Sequence, residues 1–266
     1  MDQHLILLHS SAGSGRQWRA TADALQTRFT VHAVDLHGHG TQAAWSGAAP
    51  MRLADEAALV EPLLERCGGA HVVGHSYGGA VALKLACRRP ALVHSVTAFE
   101  PVLFGLLLDD VGSRRELLSV VAMAEAMRAW IARGQPAAAA QRFIDFWSGD
   151  GTWAALPAER QAAFAARVAA VRLHFDALFS DPLSLDDLAR LAMPVLLLRG
   201  QATVPVARRV LQLAGAALPS ARLDVLPDMG HMGPLTHPTA FNRRLGEFLN
   251  GVAPPRRRRE LSPLGV

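Results

Sequence analysis

The chain has little from which a disulfide framework, a membrane anchor or a nucleic-acid surface could be built. Its 266 residues include two cysteines, Cys67 and Cys87. Neither has a CxxC partner or a metal-type spacing, so both are expected as reduced structural thiols and no metal is expected. No apolar run reaches the roughly eighteen residues needed to cross a bilayer. The segment Met1–His4 carries no basic run, and Leu5–Leu8 is too short for the apolar stretch of a signal peptide, so a cytoplasmic location is expected. Excess charge is scarce as well. The formal net charge is +4, but Arg256–Arg259 against Glu260 give residues 254–266 a net +3, leaving +1 for the rest. A nearly neutral body implies no basic face, and neither nucleic acid nor membrane is expected as a partner. Residues 253–266, with Pro254–Pro255 near their start and no periodicity, read as a disordered basic tail.

What is present is globular: half of the residues are hydrophobic and 19% are charged, enough for a large core. Short apolar runs at Leu5–Leu8, Val31–Leu36, His71–Gly74, Ser95–Phe99, Val195–Leu198 and Leu223–Leu226 read as strands. Several lack polar alternation, as strands buried on both faces do. Helical patterns at Trp18–Arg28, Leu53–Arg66, Ala80–Arg88, Pro205–Ala217 and Pro238–Asn250 alternate with them. Alternating β and α implies an α/β fold with a doubly wound, mostly parallel sheet.

One stretch breaks the rhythm. Residues 102–190 show helical patterns only, at Glu116–Arg133, Pro136–Trp147 and Glu159–Phe179. A structureless loop of that length is implausible, so a helical cap over 102–190 is expected, inserted into a core made of 1–101 and 191–252. The insertion holds three of the five tryptophans and six of the ten phenylalanines. Most of these rings would form its own core, with a few facing a ligand.

The chemistry concentrates at Gly74-His75-Ser76-Tyr77-Gly78-Gly79, a Gly-x-Ser-x-Gly between an apolar strand and an Ala/Leu-rich helix. That context places the serine on a sharp strand-to-helix turn with its hydroxyl exposed. The Tyr77 N–H then lies at a helix N-terminus, where partial positive charge suits an oxyanion. The loop His9-Ser10-Ser11-Ala12-Gly13-Ser14-Gly15 after the first strand lacks both the dinucleotide fingerprint and the P-loop lysine. It can instead supply a second oxyanion N–H, from Ser11. His37 and His39, in Asp35-Leu36-His37-Gly38-His39-Gly40, read as a structural turn, because zinc sites need three or four ligands. His231, in Gly230-His231-Met232-Gly233-Pro234 after the last strand, is the best general base. His71 and His75 sit on or beside the serine's own strand and are poorer placed.

Taken in order, His9-Ser10-Ser11, Asp35-x-His37-Gly38-His39-Gly40, Gly74-x-Ser76-x-Gly78-Gly79 and Gly230-His231 resemble the α/β-hydrolase superfamily over residues 4–250. The resemblance implies Ser76 as nucleophile, His231 as base, and Ser11 and Tyr77 as oxyanion donors. Most relatives read His-Gly where this chain has His9-Ser10. More consequentially, the usual position of the triad acid falls on Thr203, which carries no charge. Glu100, at the end of the strand after the nucleophile strand, is the expected acid instead, as in certain haloalkane dehalogenases. Asp228, Asp224 and Asp181 are weaker rivals. The expected activity is a serine hydrolase that cleaves a carboxylic ester of a small-molecule acyl substrate through an acyl-enzyme, with neither metal nor organic cofactor. A C–C hydrolase, lyase or perhydrolase could use the same triad, and Thr203 also suits a ligand-binding protein on a degenerate scaffold. Neither the natural substrate nor the oligomeric state is legible.

Overall fold

The computed structural model describes residues 3–47 and 50–252. The segment expected to form a basic tail lies outside them. Six parallel strands, β1 (Gln3–Leu8), β2 (Phe29–Val34), β3 (Ala70–His75), β4 (Val93–Phe99), β5 (Val195–Gly200) and β6 (Ala221–Leu226), form one sheet in the order β2-β1-β3-β4-β5-β6. The doubly wound parallel sheet is therefore present. Its central strands are closed to solvent on both faces: every residue of β3 is buried, which explains their unbroken apolar runs. Along β1 the side chains alternate between two cores. Ile6 and Leu8 enter the larger one, and Leu5 and Leu7 the smaller one on the opposite face.

The larger core is closed by α2 (Leu53–Arg66), α3 (Tyr77–Arg88) and α9 (Pro205–Ala217), and the smaller by α1 (Arg19–Leu25) and α11 (Pro238–Gly251). Local sequence sets the helix ends. Asp55 in the first turn of α2 accepts the Arg52 N–H at 2.8 Å. Pro205 and Pro238 begin α9 and α11, where a missing N–H costs nothing.

Between β4 and β5 run α4 (Arg114–Ala132), α5 (Pro136–Ser148), α6 (Ala158–Ala165), α7 (Val168–Ser180) and α8 (Leu185–Ala189), with no strand among them. The single helix expected over Glu159–Phe179 is two. The helical hydrogen-bond ladder is interrupted at Ala166–Arg167, although both residues stay in the αR region, and the Arg167 guanidinium donates to the Ala12 carbonyl at 3.2 Å. The first helix is also shorter than its pattern, because Gly15–Trp18 form a 3-10 turn and β2 already begins at Phe29. A four-residue helix, α10 (Gly233–Thr236), follows the last strand.

Candidate active site

The carboxyl ends of β1, β3, β4 and β5 and the loop after β6 bring five loops together. Ser76 stands between β3 and α3, as the helix N-cap, at φ 55°, ψ −115°. Two glycines permit this turn. A Cβ on Gly74 would lie 2.2 Å from the Gly78 carbonyl oxygen, and one on Gly78 would lie 2.3 Å from that of Leu8. Either substitution would push the strand, the turn and β1 apart.

The turn presents the hydroxyl to His231, whose Nε2 lies 3.0 Å from Ser76 Oγ. The other ring nitrogen, Nδ1, lies 2.7 Å from Glu100 Oε2. Glu100 is fully buried and reaches the imidazole from the end of β4 at φ 45°. Its carboxylate is acceptor-only and every nearby donor points at it. The Gly200 N–H donates to Oε1 at 2.8 Å and the Thr203 hydroxyl to Oε2 at 2.6 Å. Because a carboxylate accepts, Nδ1 carries the proton, and Nε2 is left with a lone pair aimed at the serine hydroxyl. Threonine at position 203 is therefore a donor to the acid that stands in for it. The rival acids are engaged elsewhere or solvated: Asp224 pairs with Arg244 at 2.5 Å and Asp181 with Lys84 at 2.6 Å, while Asp228 is exposed.

Four non-glycine residues adopt positive φ among the described residues: Ala12, Ser76, Glu100 and Asp228. All four lie in loops of this site. Backbone of this kind costs about 1–3 kcal/mol per residue and persists only where its surroundings enforce it.

The loop after β1 lies against the same turn. Neither the Ser11 N–H nor the Tyr77 N–H meets a protein acceptor among the described residues. Around this loop the structure adds residues that carry no mark in the sequence. Gln17 accepts from the Ser10 N–H (3.1 Å) and hydroxyl (2.9 Å), and its amide nitrogen lies 3.1 Å from His75 Nδ1. His75 in turn donates from Nε2 to the His231 carbonyl at 2.7 Å. One glutamine and one histidine thus tie the Ser10–Ser11 loop to the base. Burial holds the His75 pKa well below its ordinary value, so the ring is neutral.

His174, on α7, is buried against both candidate donors. Its Nδ1 lies 2.8 Å from Ser11 Oγ, and its ring stacks on Tyr77 at 3.7 Å. Behind them sits Glu56, fully buried. Burial raises its pKa to about 8, against the opposing hydrogen bonds from the His37 N–H and the Tyr77 hydroxyl. His174 Nε2 lies 4.0 Å from Glu56 Oε1. Burial also keeps His174 well below its ordinary pKa, so at neutral pH this is a contact of two uncharged groups rather than an ion pair. His39 accepts from the Ala12 N–H at 3.2 Å, and the His37 N–H donates to Glu56. His39 therefore braces the loop, while the His37 N–H holds Glu56.

From above, Trp147 of α5 stacks on the His231 ring at 4.2 Å and 23°. Phe104, Phe143 and Phe146 surround it, and Phe175 and Phe179 stack on Phe104. Ser76 and His231 are 4% and 5% exposed, so the pair lies beneath an aromatic roof that all but closes it to solvent.

Comparison with known proteins bears on the family and the fold. The sequence profile of the Alpha/beta hydrolase family matches residues 5–244. The chain is 30% identical over 93% of its length to the dihydrolipoyllysine-residue acetyltransferase component of the acetoin cleaving system of Cupriavidus necator, a longer protein of which it spans 63%. It is 26% identical to the pimeloyl-[acyl-carrier protein] methyl ester esterase of Nitrosospira multiformis, over 92% of this chain and 93% of that one. In three dimensions it resembles a hydrolase from Pseudomonas aeruginosa with a TM-score of 0.75 at 24% identity, over 93% of this chain and 90% of that one. No helix among the described residues is long and apolar enough to cross a membrane. The chain belongs to the alpha/beta hydrolase family and is a hydrolase.

Proposed function

We propose that the protein cleaves carboxylic esters through a covalent acyl-enzyme. The observation that carries this reading is the unbroken chain Ser76 Oγ–His231 Nε2 (3.0 Å) and His231 Nδ1–Glu100 Oε2 (2.7 Å) on a strained strand-to-helix turn. Ser76 attacks the ester carbonyl while His231 takes its proton. The carbonyl oxygen, now negative, is held by the Ser11 and Tyr77 N–H groups. Collapse expels the alcohol, which takes the proton back from His231. Water then attacks the acyl-enzyme by the same route, releasing the acid and freeing Ser76. Glu100 keeps the proton on Nδ1 and stabilises the imidazolium formed in each half-reaction. Trp147, lying flat on that ring, adds a cation–π attraction that exists only while the imidazole is charged.

The aromatic side chains that Trp147, Phe104 and Phe143 place over the triad favour an apolar acyl group, and the helices of 102–190 act as a cap. That several relatives are named pimeloyl-[acyl-carrier protein] methyl ester esterases supports a methyl or similarly small alkyl ester of a medium-length acid. The donor bond from Thr203 to Glu100 supports a working triad over a degenerate scaffold. The test is a fluorophosphonate probe with a panel of alkyl esters, thioesters and lactones. Stoichiometric phosphonylation of Ser76, absent in Ser76→Ala, together with ester turnover is expected. An unlabelled, folded protein overturns the reading.

A further inference from the structure

At the amino end of the sheet, the end opposite Ser76, three donor atoms converge. His4 Nδ1 lies 3.2 Å from His32 Nε2, which lies 3.6 Å from Cys67 Sγ, and all three atoms are within 4.8 Å of one another. The fold explains the meeting. In the register of β1 with the edge strand β2, His4 faces Thr30 and Ile6 faces His32. His4 and His32 therefore project from one face of the sheet, one step apart. Cys67 follows the last residue of α2, which packs on that face, and Gly68 and Gly69 at φ 66° and 116° then turn the chain into β3.

Hydrogen bonding alone serves this arrangement poorly. A ring nitrogen holds either one proton or one in-plane lone pair, so His32 Nε2 can complete one of its two contacts. A cation can complete all three. Tetrahedral Zn²⁺, with bonds of about 2.05 Å to nitrogen and 2.3 Å to sulfur, has ligand edges of about 3.3 Å for N···N and 3.6 Å for N···S. Two of the three observed edges are 3.2 and 3.6 Å, and the third, His4 to Cys67, lies within 4.8 Å, so a modest side-chain shift closes the set on the ion. All three side chains are half-buried rather than sealed, so a cation can enter and water can take the fourth position. Two imidazoles and a thiolate select a borderline ion of the zinc class over magnesium or calcium.

We propose that His4, His32 and Cys67 bind a zinc-class divalent cation, with water as fourth ligand, at the end of the sheet opposite the hydrolytic site. The site pins β1, the edge strand and the end of α2 together, and its occupancy leaves ester cleavage unchanged. The proposal does not rest on the esterase reading.

The test uses untagged full-length protein stripped with a chelator and titrated with Co²⁺. One Co²⁺ per chain is expected, with a thiolate-to-cobalt charge-transfer band and the strong visible absorption of four-coordination, displaced by one equivalent of Zn²⁺. Cys67→Ser should lose the charge-transfer band while keeping its circular dichroism and its ester turnover. The second thiol is no substitute, because burial pushes Cys87 up to about 11. Zn²⁺ should raise the Tm of the native chain but not of Cys67→Ser. Weak six-coordinate absorption, a band that survives Cys67→Ser, or equal Tm shifts in both proteins would each overturn the proposal. His32→Ala provides a second check: it should lose stoichiometric Co²⁺ binding, and full binding by it would count equally against the site.

Discussion

At the carboxyl ends of the strands, His231 has one partner for each ring nitrogen, a carboxylate on one side and a hydroxyl on the other. It is nearly closed to solvent. At the amino ends, His32 turns one nitrogen toward two groups at once, in a half-buried setting. The same side chain is thus prepared for different work by its neighbours. Paired singly, with an acceptor behind it, an imidazole relays a proton. Surrounded by lone pairs, it offers itself to a cation. The backbone differs in parallel: among the described residues all four left-handed non-glycine positions are at the carboxyl rim, whereas the turn after Cys67 runs through Gly68 and Gly69.

The sharpest way to break the comparison is to take the acceptor away from His231. Glu100→Gln should lower kcat by about ten-thousand-fold, because the amide can hold the wrong tautomer, with little change in Tm. Thr203→Asp added to it should restore part of the rate, since the hydroxyl of residue 203 already lies 2.6 Å from the oxygen that faces the ring. Unchanged kcat in Glu100→Gln would move the acid's role to another carboxylate.

Next in size is the brace behind the Ser11 loop. Removing an oxyanion donor outright costs about a hundred- to a thousand-fold in kcat. His174→Ala, which only loosens Ser11 and Tyr77, should cost about ten- to a hundred-fold. The loss should appear in kcat rather than KM, and a loss confined to KM would make His174 a substrate contact instead.

A smaller effect concerns stability. Burial lifts Glu56 from 4.5 to about 8, so between those values the folded chain holds a proton that the unfolded chain has released. Stability from this group is complete below about pH 4.5 and is lost as pH rises through 8, at about 1.4 kcal/mol per unit of separation. Denaturant titrations from pH 5 to 9 should show a flatter decline in Glu56→Gln, and parallel curves would remove Glu56 from this role. The smallest expected change is at the other rim, where Cys67→Ser should leave ester turnover within about twofold, as a surface substitution away from the chemistry does. Activity assays with and without Zn²⁺ check it.

Much of the carboxyl rim was legible because its signals are local. A strand, a Gly-x-Ser-x-Gly and a helix in sequence require one turn, and a carboxylate closing the adjacent strand has few places to go. Thr203 was legible as a departure but not as a donor, since that depends on where Glu100 points. His174, Gln17 and Glu56 were not legible. Each matters through a contact made across the fold, His174 with Ser11 across 163 positions, and no local pattern marks such a residue. The interruption between α6 and α7 was not legible either, because the alanine-rich pattern runs on through Ala166 and Arg167, which keep helical dihedrals. His4, His32 and Cys67 have no shared period at all, and register alone assembles them.

The four kinked residues around the chemistry carry one last implication. Their cost is constant whether substrate is present or not, so they weaken the resting molecule to keep it ready. A laboratory selection that rewarded heat resistance and ignored turnover would find its easiest gains by relaxing these loops, and would end with sturdier, inert proteins.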